Sequence, residues 1–426
     1  MLPGDRPTDR PMTAERPIVG ILVGGGPAPG INSVISAATI RSLLGGSDVL
    51  GLIDGFKWLM DGGTGQVRPL SIEDVSRIHF RGGSHLGTSR ANPTRSAESL
   101  DNVLCALSRL GVTRLMTIGG DDTAFSAMTL EERAGGRLQV VHVPKTIDND
   151  LDLPHGIPTF GFQTARHVGV EIVKNLMVDA RTTSHWYLVV TMGRKAGHLA
   201  LGIGKAAGAT VTIIPEEFRE RPIRLQRVVD LLIGAMVKRL DHGRADGVAV
   251  LAEGLIEILD PRDLAGMEQV ERDEHGHLRM NDVDIGEMVR REVMKQLHRM
   301  GLSASVVAKN VGYELRCADP IPYDIEYTRD LGYCAAQHLL DGGTSAMVSI
   351  QNGRFTPIPF EQMVDSSTGR TRVRMVDVES QSYQIARQYM IRLTEGDLQN
   401  QDASGRYAAL ANLSIEAFRE RFGAVL

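Results

Sequence analysis

Short apolar runs alternate with longer stretches of helical periodicity along most of this 426-residue chain. Apolar runs of this length favour buried strands, and a period of about 3.6 residues between them favours helices. Seven runs are strand candidates: residues 17–25, 114–120, 139–144, 185–192, 209–215, 247–254 and 345–353. The helix candidates between them are residues 30–44, 122–135, 164–179, 196–208, 225–240 and 285–301. Repeated strand–helix–strand units build parallel sheets, so the chain is predicted to be an α/β protein.

Composition and charge narrow the classes of function. The chain has 426 residues, 42% of them hydrophobic, which is more than a single ordinary hydrophobic core holds. Two globular lobes are therefore expected. No apolar run approaches the roughly 18 to 20 residues that span a bilayer, and residues 1–16 lack the apolar core of a signal peptide. A net charge of −5 and 5% aromatic residues give no reason to expect nucleic acid. We therefore expect a cytoplasmic protein with no membrane partner and a flexible tail at residues 1–16.

The three cysteines do not form a metal or redox motif. They are Cys105, Cys317 and Cys334, and no two of them stand in a CxxC pair. An unpaired set of this kind favours a reducing compartment. Free cysteine is most often buried, so we expect buried thiols.

Glycine and charged residues are concentrated where the predicted strands end. The five clusters are GGGPAPG (24–30), GGDDT (119–123), PKTIDND (144–150), MGRKAGH (192–198) and AEG (252–254). Open parallel sheets bind ligands at the carboxyl ends of their strands. The five clusters are therefore predicted to converge on one cleft.

The first two clusters suit phosphate and metal. Glycines in 24–32, GGGPAPGIN, let the backbone approach an anion, and the following helix offers free N–H groups. The spacing matches neither GxGxxG nor GxxxxGK, which argues against dinucleotide and Walker sites. Asp121 stands where a carboxylate could hold a magnesium ion that bridges phosphates. A helix N-cap is the alternative role there, and Asp122 or Thr123 could equally fill it.

The third cluster suits proton and phosphate transfer. Lys145 could steady phosphate charge, and Asp148 or Asp150 could take a proton from an attacking hydroxyl. An Asx turn with a surface lysine is the alternative interpretation of the same residues.

Further polar residues suit a phosphorylated sugar. Arg194 in MGR, Arg316 in GYELR and Arg90 in GGSHLGTSR could bind phosphate, while Glu253 could accept hydrogen bonds from hydroxyls. Each of them alone could equally be a surface ion pair. Three histidines lack HxxxH or cysteine partners and are assigned structural roles: His167, His185 and His198.

Taken in order, GGGPAPGIN, GGSHLGTSR, GGDDT, PKTIDND, MGRKAGHLALGIGKAAGA, AEG and GYELR resemble the phosphofructokinase family over roughly residues 17–350. The resemblance implies two Rossmann-like lobes, each with a parallel sheet, and an active site in the cleft between them. It also implies Mg²⁺-dependent, reversible transfer of phosphate to C1 of fructose 6-phosphate, giving fructose 1,6-bisphosphate. By the same resemblance the enzyme is a homodimer or a homotetramer.

The resemblance also implies a division of the chain. Residues 17–160 would bind the phosphoryl donor and Mg²⁺, and residues 161–316 would bind the sugar phosphate. A polar stretch at 260–282 is predicted to be a surface insertion in the second lobe. Residues 317–426 would form a return segment and C-terminal helices that pack on both lobes.

Residue roles carry over motif by motif. Asp121 would bind magnesium, Asp148 would deprotonate the C1 hydroxyl, and Asp150 would support that base. The implied catalytic residues are Asp148, Lys145, Asp122, Asp150 and Arg194. The implied substrate-binding residues are Gly25, Gly26, Arg90, Thr146, Ile147, Asp148, Met192, Gly193, Arg194, Glu253, Tyr313, Glu314, Leu315 and Arg316.

Two positions point to the donor. Family members that use ATP carry glycine at the positions of Asp122 and Lys145, whereas members that use pyrophosphate carry this Asp and Lys pair. A carboxylate at 122 would occupy the place of the ATP α-phosphate. Two unit charges ~4 Å apart repel by about 1 to 4 kcal/mol, a roughly ten- to thousandfold bias against ATP. The sequence therefore predicts pyrophosphate as donor, and the alternatives are an ATP-dependent enzyme and a catalytically silent sugar-phosphate-binding subunit.

The chain departs from the family pattern in three places. Pro27 replaces a frequent acidic residue, and Cys317 and Ala318 replace the glycines that usually follow GYxxR. In many family members an arginine enters the active site of the neighbouring subunit, and this sequence has no clear counterpart of it. His185 and Lys309 are the candidates to replace it.

Overall fold

The computed structural model describes residues 16–154, 156–264, 283–365 and 370–424. The predicted N-terminal tail, except residue 16, and most of the predicted insertion at 260–282 lie outside these ranges. None of the helices in the described ranges combines the length and the apolar character that crossing a membrane requires.

Strands and helices alternate through most of the described chain. The strands are β1 Ile18–Val23, β2 Asp48–Leu52, β3 Val67–Pro69, β4 Val112–Gly119, β5 Gln139–Thr146, β6 Phe160–Gly161, β7 His185–Thr191, β8 Val211–Ile213, β9 Gly247–Ala252, β10 Ser305–Val311, β11 Ala346–Met347, β12 Ile350–Gln351, β13 Arg354–Phe355, β14 Ile358–Pro359, β15 Val364–Asp365 and β16 Arg370–Thr371. The helices are α1 Ile31–Leu44, α2 Ile72–Val75, α3 Ala97–Arg109, α4 Asp121–Ala134, α5 Phe162–Thr183, α6 His198–Ala207, α7 Leu225–Asp241, α8 Pro261–Leu264, α9 Ile285–Arg299, α10 Tyr313–Arg316, α11 Pro322–Leu340, α12 Gln381–Tyr389, α13 Glu395–Gln399, α14 Gln401–Leu410 and α15 Ile415–Gly423.

The first lobe is built on a mixed sheet with the order β14-β11-β5-β4-β1-β2-β3, and β6 pairs with β5. Its central strands β1, β4 and β5 are parallel to one another. Such strands are covered on both faces, which explains why β1 is a continuous apolar run buried from Val19 to Val23. The parallel strands end at one edge of the sheet, and the loops of the predicted clusters follow them there.

The second lobe is built on a smaller sheet with the order β10-β7-β9-β8, in which all pairs are parallel. β7 and β9 lie in its centre, and their residues are almost all buried. Helices α5, α6, α7 and α9 pack against these strands or against each other. The loops after β7 and β9 therefore leave the same edge of this sheet.

The chain after α10 contributes to both lobes. Helix α11 packs against α1, and β11 then pairs in parallel with β5 in the large sheet. Helices α14 and α15 pack against α7 in the second lobe, where Tyr407, Phe418 and Phe422 join the apolar core. Phe418 and Phe422 are fully buried, so the last described helix packs on the protein through these two rings.

Two predictions are wrong in detail. Residues 345–353 do not form one strand, because β11 and β12 belong to separate sheets. Asn352 and Gly353 both have positive φ, 51° and 74°, as the two-residue turn of the hairpin β12–β13 requires. The thiols are not all buried, since Cys105 and Cys317 are exposed. Cys105 lies on α3 away from the residues through which that helix packs on the core.

Candidate active site

A cleft of about 990 Å³ lies where the strand ends of the two lobes face each other. Gly26, Asp121 and Asp148 line it from the loops after β1, β4 and β5. Arg194 and Glu253 line it from the loops after β7 and β9. The five glycine and charge clusters of the sequence therefore meet in one place.

A recess of about 50 Å³ lies beside this cleft on the first lobe. Gly25, Asp122 and Lys145 line it, and the Lys145 ammonium donates a hydrogen bond to the carbonyl of Gly26. Gly25 has φ +82°, and a Cβ there would lie 3.4 Å from Lys145 Nζ. Glycine thus allows both the turn and the close approach of the lysine.

Asp121 and Asp122 begin helix α4. The residue that caps this helix is Gly120, and no side chain makes the cap hydrogen bond, so neither Asp122 nor Thr123 is the N-cap. Asp121 Oδ1 instead accepts a hydrogen bond from Arg194 across the cleft at 2.8 Å. Burial, followed by the charge of Asp121, raises the pKa of Asp122 above its ordinary value. Both acidic side chains therefore line the cleft at a helix N-terminus, and that of Asp121 is paired with Arg194.

Asp148 is a buried carboxylate with an unused oxygen. Its exposed fraction is 7%, and among the described residues its Oδ1 has no hydrogen-bond partner. Burial, followed by repulsion from Asp150, raises the pKa of Asp148 to about 7. Arg194 Nε lies 3.8 Å from the other oxygen, Oδ2. A carboxyl group in this state can accept and release a proton near neutral pH.

Lys145 lies at the end of β5, three residues before this carboxylate. Burial, followed by the charge of Arg194, lowers the pKa of Lys145 to about 8. The side chain is 5% exposed, so its charge acts at short range on the recess. Arg194 also joins the recess and lies between Asp121 and Asp148.

The second lobe presents a fixed turn to the cleft. Glu253 Oε1 accepts hydrogen bonds from the backbone N–H groups of Gly193 and Arg194, at 3.0 and 2.7 Å. Arg316 reaches the first lobe, where a Cβ at Gly26 would lie 3.3 Å from its guanidinium carbon. The same guanidinium lies 5.3 Å from the ring centre of Tyr313, which is 78% exposed.

The remaining sequence-predicted residues divide into two groups. Arg90 and Met192 line the cleft, and Thr146 and Ile147 line the recess. By contrast, the Leu315 side chain is fully buried in the core, and Glu314 accepts a hydrogen bond from the N–H of Gly312 at 3.1 Å. The side chain of Leu315 is thus directed into the core.

The structure adds lining residues that the sequence reasoning missed. They are Asn92, Thr94, Phe125, Lys195, Ile256, Glu257, Val283, Ile285 and Val373. Asn92 and Thr94 follow Arg90 in the same loop, so the position of Arg90 was a usable signal for them. Val373 belongs to a segment without any recognisable motif.

Comparison with known proteins identifies the family. Residues 18–339 match the family model described as phosphofructokinase. The chain belongs to the phosphofructokinase family. The family resemblance of the ordered motifs is thereby confirmed.

Relatives of this phosphofructokinase extend over nearly the whole chain. A protein of Thermotoga maritima named pyrophosphate–fructose 6-phosphate 1-phosphotransferase is 53% identical over 414 residues, 96% of this chain and 98% of that protein. A protein of Naegleria fowleri with the same name is 47% identical over 415 residues, 95% of each chain.

The predicted fold class is confirmed as well. The crystal structure of a pyrophosphate-dependent phosphofructokinase from Marinobacter aquaeolei matches with a TM-score of 0.65. The match covers 93% of this chain and 91% of that one, at 15% sequence identity. The phosphofructokinase fold therefore holds across a large divergence in sequence.

Proposed function

We propose that this phosphofructokinase catalyses the reversible, Mg²⁺-dependent transfer of phosphate from pyrophosphate to the C1 hydroxyl of fructose 6-phosphate. The products are fructose 1,6-bisphosphate and phosphate. The observation that carries the proposal is the recess in which Asp122 and Lys145 accompany the glycine loop. Beside it lies the buried Asp148, whose Oδ1 has no hydrogen-bond partner among the described residues. The names of the relatives from Thermotoga maritima and Naegleria fowleri support the same donor and acceptor.

The choice of donor rests on charge and space. An ATP α-phosphate placed in the recess would meet the carboxylate of Asp122 and the side chain of Lys145. Repulsion of about 1 to 4 kcal/mol from one such charge at ~4 Å disfavours ATP. Pyrophosphate has no nucleoside to place, and Lys145 can neutralise its leaving phosphate.

The acidic pair at the start of α4 fits magnesium. Within the described residues, no cluster of three or more His, Cys, Asp or Glu side chains could hold a metal ion by itself. Magnesium bound with its phosphate substrate needs only one or two protein carboxylates, because phosphate oxygens and water complete its coordination. Asp121 would supply that carboxylate, and Asp122 lies beside it. The bound ion would neutralise charge on the phosphates.

Asp148 is the proposed general base. Its Oδ1, which has no hydrogen-bond partner within the described part of the chain, can accept the proton of the C1 hydroxyl as that oxygen attacks the phosphate. A pKa of about 7 also allows it to return the proton in the reverse reaction. Positioned acid–base catalysis of this kind contributes about 10² to 10⁴ in rate.

The second lobe is proposed to hold the sugar phosphate. Arg316 and Arg90 can bind phosphate oxygens, and Arg194 can neutralise charge on the transferring group. Glu253 keeps the turn at Gly193 in place through two hydrogen bonds. Arg90, Arg194, Glu253 and Arg316 all line the cleft, which supports this assignment.

Product analysis separates this proposal from its two alternatives. The purified protein is incubated with Mg²⁺ and fructose 6-phosphate, and either pyrophosphate or ATP. We expect one fructose 1,6-bisphosphate and one phosphate per pyrophosphate consumed, and pyrophosphate formation when the products are supplied instead. Product from ATP alone would establish the ATP-dependent alternative, and no product from either donor would establish the silent subunit.

Three further points stay predictions. They are assembly into a homodimer or homotetramer, a cytoplasmic location, and the replacement of the neighbour's arginine by His185 or Lys309. Lys309 is exposed on the edge strand β10, where a second subunit could reach it. A panel of sugar phosphates, including sedoheptulose 7-phosphate, would define the acceptor range.

A further inference from the structure

A segment beyond the matched family region contacts the catalytic loop. The family model ends at residue 339, whereas Val373 pairs with Leu151 in an antiparallel bridge. The backbone N–H of Arg374 donates to the carbonyl of Asp150 at 2.8 Å. Val373 and Met375 are 40% and 36% exposed, while the side chain of Arg374 between them turns inward.

The Arg374 guanidinium binds the loop that follows β5. Its Nε donates to the carbonyl of Asn149 at 3.1 Å, and one terminal nitrogen donates to the carbonyl of Ile157 at 2.8 Å. The other terminal nitrogen donates to the side-chain oxygen of Asn149. One planar fork thus fixes both the backbone and the side chain of Asn149.

Asn149 is held in an uncommon backbone conformation. It lies between Asp148 and Asp150 and has φ +59°, in the left-handed region that few non-glycine residues adopt. The Asn149 side-chain oxygen also accepts a hydrogen bond from the N–H of Thr159 at 3.0 Å. Arg374 and Thr159 together hold Asn149 in the one conformation that directs the two aspartates as observed.

The other side of the segment is anchored on the second lobe. The ring of His198 contacts the carbonyl of Arg374 at 3.1 Å through Nε2, which must donate because a carbonyl oxygen only accepts. The carboxylate of Glu216 accepts from the N–H of Val376 at 3.0 Å and from the N–H of Gly197 at 2.8 Å. Arg374 therefore joins the catalytic loop to a firmly held support.

We propose that Arg374 is a positioning residue for catalysis, which holds the Asp148–Asn149–Asp150 turn so that the Asp148 carboxylate meets the C1 hydroxyl. The proposal rests on the assignment of Asp148 as general base in the proposed function. Misplacement of a reacting group by about 1 Å can cost about 10²-fold in rate without weakening substrate binding. The effect of losing Arg374 should therefore appear in kcat rather than in KM.

The test compares Arg374→Lys and Arg374→Met with the matched control Arg372→Met. Arg372 belongs to the same segment, but its side chain is 53% exposed and only reaches Asp152 at 3.8 Å. We expect kcat with pyrophosphate and fructose 6-phosphate to fall about ten- to hundredfold in both Arg374 variants. The KM values should stay within about threefold, and Arg372→Met should keep the kcat of the wild type.

Lysine keeps the charge but cannot form the fork, so recovery of wild-type kcat in Arg374→Lys would overturn the proposal. So would a loss of Tm with unchanged kcat per folded enzyme, because that pattern marks a purely structural residue. An increase of KM alone would show that the segment acts on substrate binding and would also overturn it.

A second set of variants keeps the proposal testable if Arg374→Met does not fold. Asn149→Gly tolerates the left-handed conformation but removes the oxygen that Arg374 binds. We expect the Arg374→Lys/Asn149→Gly double variant to lose no more kcat than the worse single variant, because both act through one turn. If the fold-loss of kcat in the double variant equalled the product of the two single losses, that result would contradict the proposal. If the wild type itself transfers no phosphate from pyrophosphate, the proposed function fails instead.

Discussion

Replacing Asp148 by asparagine should abolish turnover and at the same time stabilise the protein. Asparagine keeps the shape of the side chain but cannot accept a proton. Loss of the general base should lower kcat by about 10² to 10⁴. Substrate binding should stay largely intact, because the hydrogen-bonding surface of the cleft is otherwise unchanged.

The stability gain follows from the pKa of the buried carboxyl. Burial and Asp150 raise the pKa of Asp148 from 3.8 to about 7, which means that the folded state favours the protonated form. The stability of the wild type is therefore full below pH 3.8 and falls as pH rises towards 7. Each tenfold change in the proton equilibrium is worth about 1.4 kcal/mol, so the loss reaches up to about 4 kcal/mol above pH 7. The asparagine of the variant carries no charge and avoids this loss.

The assay is denaturant unfolding of wild type and Asp148→Asn at pH 4 and pH 8, beside steady-state kinetics. The free energy of unfolding should be nearly equal at pH 4 and higher in the variant by up to about 4 kcal/mol at pH 8. A variant that is less stable than the wild type at pH 8, or one that keeps wild-type turnover, would refute the reasoning about this carboxyl.

Three further outcomes are expected. First, kcat/KM of the forward reaction should depend on pH as a bell-shaped curve. Asp148 must lose its proton, with a pKa of about 7, and Lys145 must keep its proton, with a pKa of about 8. A kcat/KM that is flat from pH 6 to 9 would contradict this. Second, Arg316→Ala should raise KM for fructose 6-phosphate about ten- to hundredfold, since a charge-assisted contact contributes about 1.5 to 3 kcal/mol. An unchanged KM would show that the sugar phosphate does not bind at Arg316. Third, Asp121→Asn should raise the Mg²⁺ concentration for half-maximal rate at least about tenfold, and an unchanged Mg²⁺ titration would exclude Asp121 as a ligand.

The sequence predicted the strands whose ends carry the site, because the signal there is strong. Strands β1, β4, β5, β7 and β9 each contain a run of buried residues that are mostly apolar, as expected of strands covered on both faces. No strand is predicted from the sequence at β2 or β10. In β10, SVVAKNV, polar and exposed residues interrupt the apolar run because the strand lies at a sheet edge.

The site was predictable where residues stand in local motifs and unpredictable where they are distant. Asp121 and Asp148 follow predicted strand ends, which predicts their place at the cleft, while their individual roles are implied by the family resemblance. Arg374 lies 225 residues from Asn149 along the chain, in a stretch with several arginines and no motif. Only the folded chain shows that the side chain of Arg374 turns inward.

The hairpin turn at Asn352 and Gly353 shows a different limit. An Asn-Gly pair is a strong hairpin signal, because both residues tolerate positive φ. The apolar run before it favours a continuous strand over residues 345–353, and the turn signal argues against that strand.

The claim that Asp122 selects pyrophosphate as the donor is tested most directly by one ratio, that of kcat/KM for pyrophosphate to kcat/KM for ATP. The ratio is measured in wild type, in Asp122→Gly and in the Asp122→Gly/Lys145→Gly double variant. The account predicts that wild type strongly prefers pyrophosphate and that Asp122→Gly shifts the ratio towards ATP by about tenfold or more, since removing one charge at ~4 Å is worth about 1 to 4 kcal/mol. The double variant should shift it further, because glycine also removes the side chain of Lys145 from the recess. A wild type that prefers ATP, or a ratio that stays within a factor of about two through both substitutions, would contradict the claim that Asp122 selects the donor.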